Sequence, residues 1–297
     1  VTGALTDVPG IQVGHWTGDG TGVTVILPDA RVVAAAELRG GAPASRELAL
    51  LDPSRTVETI DAVVFTGGSA FGLAAADGVM RWLAERGRGF PTRGGPVPIV
   101  PTAAIYDLVV SGGASPGASE GTAAIDAAAR GLPLTTGRVG AGRGATVGKW
   151  RGADHAAPGG LGSASATVDG ATVGALAVVN AIGDVRGPTG TILAGSSAPP
   201  DAPGFPDPEP FDPLEPNTTL LVVATDALCS KVECLLLAQS AQHGVAWSVH
   251  PSHTRHDGDL AIALATGVVP AHLDRLRVAA TEVAAAAVRD AVGSGND

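Results

Sequence analysis

Aromatic side chains make up only 3% of the 297 residues. A core of ordinary size must then be built from Val, Leu, Ile and Ala, and the 42 glycines point to backbone packed on backbone. Cysteine is nearly absent: Cys229 and Cys234, five apart, fit no metal or redox spacing and read as two buried thiols on a helix. No apolar run reaches the roughly 18 residues of a membrane span. Basic residues are in the minority, and a net charge of −10 argues against a nucleic acid or an anionic membrane surface as partner. The first ten residues, VTGALTDVPG, lack a basic region followed by an apolar stretch, so the expectation is a cytoplasmic protein without a signal peptide. No repeat of fixed period is present.

Strand and helix patterns alternate along the chain. GVTVILPD (22–29) is a β-branched run that predicts a strand. DAVVFTGGSAFGLAAADGVMRWLAERG predicts a buried strand over 62–65, a tight turn and a helix over 73–85, with Leu73, Ala76, Met80 and Leu83 on one face. SEGTAAIDAAARG predicts a small helix with Ser119 as N-cap. SASATVDGATVGALAVVN predicts a hairpin turning at Val168-Asp-Gly-Ala171, and its second strand is apolar on both faces, hence central. TTLLVVATDA predicts a buried strand, SKVECLLLAQSAQHG a helix ending at Gly244, and VVPAHLDRLRVAATEVAAAAVRDAV (268–292) a long helix with Leu273, Leu276, Ala280, Val283 and Ala287 in one stripe. Such alternation predicts a layered α/β protein. Residues 195–216 differ from the rest: eight prolines, five acids and no Lys or Arg predict an exposed linker.

Several chemical motifs come close and fail. GRVGAGRGATVGKW misses the phosphate-loop pattern at Arg143 and Trp150, and as a dinucleotide fingerprint it lacks a flanking strand and helix. TGGSAFGL has Phe71 where a nucleophile elbow needs glycine, although its amides are placed to line a pocket. HPSHTRHDGDL gathers His250, His253, His256, Asp257 and Asp259, either as a solvated loop, as metal ligands, or as carboxylates orienting a neighbouring amine or hydroxyl. Asn180 ends a very apolar strand and needs partners there, as a structural hydrogen-bonder or an oxyanion donor.

The junction EPNTTLLVVATD poses the sharpest question, because a proline-rich acidic run stops and a strand starts on hydroxyls. A threonine hydroxyl is a poor nucleophile without a base. At a chain start its own α-amine, with a reference pKa of about 7.7–8.0, is that base. Self-cleavage before Thr218 makes such a start. It wants an accessible leader and a rigid strand, and the Asn217-Thr218 boundary has both.

PGIQVGHW, DAVVFTGGSAFGLAAADGVMRWL, GRVGAGRGATVGKW, GALAVVNAIGDV, NTTLLVVATDA and HDGD, in that order from about residue 8, resemble the P1/S58 peptidase family. This family holds D- and β-aminopeptidases and the nylon-oligomer hydrolases. The resemblance implies an N-terminal-nucleophile hydrolase with a four-layer αββα sandwich of the DmpA/ornithine acetyltransferase type. It implies one hydrolase domain over 1–297, cut between Asn217 and Thr218 into fragments 1–217 and 218–297 that stay associated, and a homotetramer or larger. By the same resemblance Thr218 is the nucleophile, Lys149 and Asn180 hold it and polarise the carbonyl, Asp257 and Asp259 orient groups in the site, and Tyr106 touches substrate. No cofactor and no metal ion enters this chemistry. Thr218 together with the Asp-Gly-Asp pair resembles the 6-aminohexanoate-oligomer endohydrolase branch, since aminopeptidases of the family usually carry Ser. The substrate implied is a small amide or oligopeptide, with aminopeptidase action or acyl transfer of the ornithine acetyltransferase kind as alternatives.

Overall fold

A computed structural model describes residues 1–206 and 216–293. In chain order the main strands are β1 (Ile11–Thr17), β2 (Gly22–Pro28), β3 (Val32–Leu38), β4 (Ala44–Arg46), β5 (Thr59–Ile60), β6 (Val63–Thr66), β7 (Thr102–Ala104), β8 (Gly160–Val168), β9 (Ala171–Asn180), β10 (Thr218–Ala227) and β11 (Leu260–Val269). The helices are α1 (Ala75–Glu85), α2 (Ala118–Ala129), α3 (Lys231–Ser248) and α4 (Leu273–Asp290). One sheet runs β8-β9-β10-β11-β3-β5 and the other β1-β2-β6-β7-β4. Both are mixed, with a parallel pair at β10·β11 in the first and β6·β7 in the second.

Three apolar clusters fill the spaces between four layers. Val23, Val25 and Val64 of the smaller sheet meet Ala76, Val79, Leu83 and Ile125 of α1 and α2. Ile26, Val63 and Phe65 meet Leu176, Val178, Leu220, Val222 and Ile262 between the sheets. Ala175, Leu221, Val223 and Ala263, on the far face of the larger sheet, meet Leu237, Ala241, Val283 and Ala287 of α3 and α4. Alternate residues of β9 and β10 therefore enter two different cores, which is why both strands read as apolar on both faces. All ten residues of β10 are buried.

The β8–β9 hairpin turns at Asp169-Gly170, both with positive φ, as a two-residue loop requires. The capping box of α3 joins Ser230 and Glu233: the Ser230 amide donates to Glu233 Oε2 at 2.7 Å. Several boundaries differ from the sequence pattern. α1 starts at Ala75, because Ser69–Gly72 form a separate single turn. α2 is capped at Gly117, whose amide donates to Glu120 Oε2, so Ser119 lies inside the helix. α3 runs through Gly244 to Ser248. Gly244 is there for close approach: a Cβ would stand 2.5 Å from the Thr281 carbonyl oxygen of α4. Both cysteines are buried and free, but Cys229 precedes the helix.

Residues 195–206 are largely exposed, as their composition predicts, yet they are fastened down. The Ser196 amide donates to Asp184, Ser197 to the His155 carbonyl and Phe205 to the Trp150 carbonyl. The remainder of the proline-rich stretch, 207–215, lies outside the described residues. No helix among the described residues is long and apolar enough to cross a membrane.

Candidate active site

The antiparallel register of β9 and β10 sets Asn180 opposite Thr218. Both are buried, at 0% and 3% exposure, so every polar group here needs a partner. Upstream of β10 the chain is clamped against the loop that precedes β11. The Asn217 amide donates to the His256 carbonyl at 2.8 Å, and the Asn217 carbonyl accepts from the Gly258 amide at 2.7 Å. The Thr218 hydroxyl donates to that same carbonyl at 2.5 Å. Asn217 is thus held through both its amide and its carbonyl, and the oxygen of the peptide ahead of Thr218 lies between a backbone donor and the hydroxyl. Gly258 is small for a local reason: a Cβ would lie 2.7 Å from the Ala42 carbonyl oxygen and 3.0 Å from Thr218 Oγ1.

Lys149 and Asn180 meet directly. Lys149 Nζ donates to Asn180 Oδ1 at 3.0 Å and to its carbonyl at 3.3 Å. Oδ1 also accepts the Thr146 amide at 3.0 Å, while Nδ2 donates to the Tyr106 carbonyl at 3.1 Å. The glycine-rich loop that imitates a phosphate loop therefore delivers Thr146 and Lys149 to Asn180. Two of its other amides, Gly140 and Ala141, are taken by the hydroxyls of Thr17 and Thr24. In the 66–73 turn the Gly67, Gly68 and Ser69 amides are likewise taken, by the Gly22 carbonyl, Asp107 Oδ1 and the Ile105 carbonyl. Beside Lys149 opens a cavity of about 170 Å³, lined by Tyr106, Thr146, Asp154, Val109, Val110 and Pro216 among others.

The Asp257-Gly258-Asp259 loop is buried, and this corrects the solvated-loop reading of its sequence. Each carboxylate has fixed partners. Asp257 Oδ2 accepts from the Thr254 amide and hydroxyl at 2.8 and 2.7 Å. Asp259 Oδ1 accepts the Thr219 amide at 2.6 Å, and Oδ2 accepts from the His253 amide and faces its Nδ1. Burial, with the Asp259 charge adding to it, pushes the Asp257 carboxyl up to about 6. Asp259 thus bonds the residue that follows Thr218, while the Asp257 carboxylate is held by Thr254 and the Ile182 amide. A carboxylate 40 positions further along the chain cannot be assigned to one amide or the next from residue type. Among the described residues no three His, Cys, Asp or Glu side chains stand together as a metal site.

The sequence-derived residues Asn217, Thr218, Lys149, Asn180, Asp257 and Asp259 thus come together at one end of β9 and β10, with Tyr106 touching Asn180 through its carbonyl. Thr146, Gly258 and Thr219 complete the constellation and were missed, and His253, read from the sequence only as one of a histidine cluster, joins them. Gly258 carried a usable signal, as a glycine between two acids. Thr146 and Thr219 act through backbone amides, which residue identity does not reveal.

The fold has known counterparts. The chain superposes on the L-aminopeptidase D-Ala-esterase/amidase of Ochrobactrum anthropi, described as a variant of the N-terminal-nucleophile (Ntn) hydrolase fold, with a TM-score of 0.73 at 22% identity, covering 98% of this chain and 86% of that one. The two mixed sheets flanked by helices are that fold. The family is shown independently: the chain belongs to peptidase family S58, whose profile matches residues 3–296. It is 45% identical over 297 aligned positions to a Mycobacterium leprae protein named as an uncharacterized aminopeptidase, covering 90% of this chain and 80% of that one. It is 30% identical over 278 positions to the 6-aminohexanoate-oligomer endohydrolase of an Agromyces species, covering 88% and 74%. The chain is a hydrolase of family S58, and the nylon-oligomer branch suggested by Thr218 and the Asp-Gly-Asp pair stands at lower identity than the aminopeptidase-named relative.

Proposed function

We propose that the protein is a self-cleaving aminopeptidase-type amide hydrolase with Thr218 as nucleophile. The observation that carries this reading is the gripped peptide: the Thr218 hydroxyl and the Gly258 amide both sit on the Asn217 carbonyl oxygen. In the first reaction Thr218 Oγ1 attacks the Asn217 carbonyl carbon. The oxygen takes up negative charge and the Gly258 amide donates to it, a stabilisation typically worth about 3–4 kcal/mol for one well-placed donor. The C–N bond breaks, the hydroxyl proton passes to the departing Thr218 nitrogen, and an ester is left. Water hydrolyses the ester to the Asn217 carboxylic acid and returns the Thr218 hydroxyl. Departure of Asn217 from its bonds to residues 256–258 opens space beside Thr218 for a second amide.

On that substrate the freed α-amine takes the hydroxyl proton as Oγ1 attacks, and an acyl ester on Thr218 replaces the substrate's amide bond. The leaving amine carries the proton away, and water clears the ester. Lys149 contributes positive charge through Asn180, and the second hydrogen of Asn180 Nδ2 is available to the developing oxyanion. The cavity beside Lys149 is small against the roughly 300–1,000 Å³ of drug-sized sites, which suits one short residue. Asp154, exposed on its wall, suits a substrate with a free ammonium. Both features support removal of an N-terminal residue, as does the 45% identity to an aminopeptidase-named protein. Cleavage of 6-aminohexanoate oligomers is the second reading, favoured by the threonine nucleophile and the 30% identity to an endohydrolase of that name.

Intact mass of the purified protein tests the reading. The expected result is two fragments divided between 217 and 218, a single full-length chain for Thr218→Ala, and loss of amidase activity with the cut. Two fragments from Thr218→Ala remove Thr218 from the role. A panel of short α-peptide amides, β-peptides and 6-aminohexanoate oligomers then separates the two substrate classes.

A further inference from the structure

The loop before β11 holds a titratable side chain, His253, that is bonded to the site and that the chemistry above leaves idle. His253 is half-buried, and its backbone is left-handed, with φ 56°. That conformation is uncommon for a residue with a Cβ and persists where surroundings enforce it. Here it brings two donors of one residue onto one oxygen: the His253 amide lies 3.2 Å from Asp259 Oδ2 and the ring Nδ1 2.7 Å from it. The other ring nitrogen, Nε2, stands 3.3 Å from the Gln242 carbonyl of α3. Both ring nitrogens therefore face acceptors. A neutral imidazole donates from one nitrogen only, so the imidazolium is the form that satisfies both. The opposite oxygen of the same carboxylate takes the Thr219 amide at 2.6 Å. A continuous chain of bonds thus runs from α3 through His253 and Asp259 to the residue that follows Thr218.

We propose that His253 is a positioning residue for the Thr218 centre: as an imidazolium anchored on the Gln242 carbonyl, it fixes the Asp259 carboxylate on the Thr219 amide and so holds the end of β10 that presents the hydroxyl. This rests on the reading of Thr218 as nucleophile. The charged groups bearing on the ring are Asp259, its partner, and Arg39, which opposes its charge. Arg39 is itself paired with Glu37 at 2.8 Å. Asp257 shares the loop, and α3 faces the ring with the Gln242 carbonyl. Burial is the largest single influence and disfavours the cation, but the bond to Asp259, its charge and the Gln242 carbonyl together outweigh it and hold His253 above the usual histidine value. As pH rises through that value the cation is lost, one of its two bonds goes with it, and turnover falls on the alkaline side.

The test uses the full-length protein as purified and the variants His253→Ala and His253→Asn. Asparagine tolerates the left-handed backbone and offers Asp259 an uncharged donor. For His253→Ala the expected change is a fall in kcat of about 10- to 100-fold with KM within about twofold, the pattern of misplaced rather than missing binding groups. His253→Asn restores part of kcat and lacks the alkaline fall. Nitrogen-15 NMR of the parent at pH 6 shows a ring protonated on both nitrogens, and hydrogen exchange at the Thr219 amide is faster in His253→Ala. A neutral ring at pH 6, or parental kcat and pH profile in His253→Ala, overturns the proposal. Should His253→Ala fail to fold, the parental NMR spectrum and the His253→Asn profile decide. A parent that is neither cut nor active defeats the Thr218 reading instead, and ring protonation with Thr219 exchange still decides the His253–Asp259 link.

Discussion

Asp257 and Asp259 are two carboxylates of one loop placed in different surroundings, and the difference has a measurable consequence. Asp257 titrates near 6 in the folded protein, against 3.8 for the free side chain, because burial and the Asp259 charge disfavour its ionised form. The folded state thus binds this proton more tightly than the unfolded chain does. Its contribution to stability is complete below about pH 4 and is lost as pH rises through 6. Thermal unfolding of Asp257→Asn between pH 4 and 7 is expected to show a flatter pH dependence than the parent, and an unchanged slope would contradict this. The residues themselves were legible in the sequence to very different degrees. Thr218 stood out at a boundary between two compositions and Asn180 at the end of an apolar strand, but the roles expected of both came from the family resemblance. The role of His253 was not legible, because it depends on a left-handed backbone and on a carbonyl of α3, neither of which residue type discloses. Asp259 was legible as an acid of the site but not as the acceptor of the Thr219 amide, a bond across 40 positions.

Elements were more legible than residues where their environment was uniform. β9 and β10 read as strands covered on both sides because they supply side chains to two cores at once. What the pattern did not disclose was neighbourhood: β3, from near the chain start, lies beside β11. Gly244 shows how a local rule misleads. Glycine commonly ends a helix, but here it marks the contact of α3 with α4, where a Cβ would meet the Thr281 carbonyl at 2.5 Å. Two effects compete in Gly244→Ala. Helix propensity favours alanine by about 1 kcal/mol, whereas overpacking of a close contact costs about 1–3 kcal/mol. The obstacle is backbone, which yields less than a side chain, so net destabilisation is expected. A fall in urea midpoint at unchanged slope checks it, and a rise would show that the helices separate freely.

On the scale of the whole molecule, the sheet order matters more than any single contact. β10 sits between β9 and β11, and β11 pairs on its other side with β3. A cut before Thr218 would therefore divide one sheet between two chains, with β10 and β11 of one flanked by β8-β9 and β3-β5 of the other, and every interlayer core except that under α1 and α2 draws on both. The cut product holds together by the same burial as the intact chain. Unfolding is another matter: two released chains must find each other again, so refolding of the cut protein is second order in protein while that of uncut Thr218→Ala is first order. Refolding yield after denaturant dilution should fall with protein concentration for the cut form alone. On the proposed cut, the divided sheet would make maturation a one-way step in the life of the molecule. The peptide bond before Thr218 contributes little to the finished structure, but it is what lets a single chain reach that structure unaided, and on the proposed cut a molecule that becomes an enzyme by breaking it gives up the means to rebuild itself when dilute.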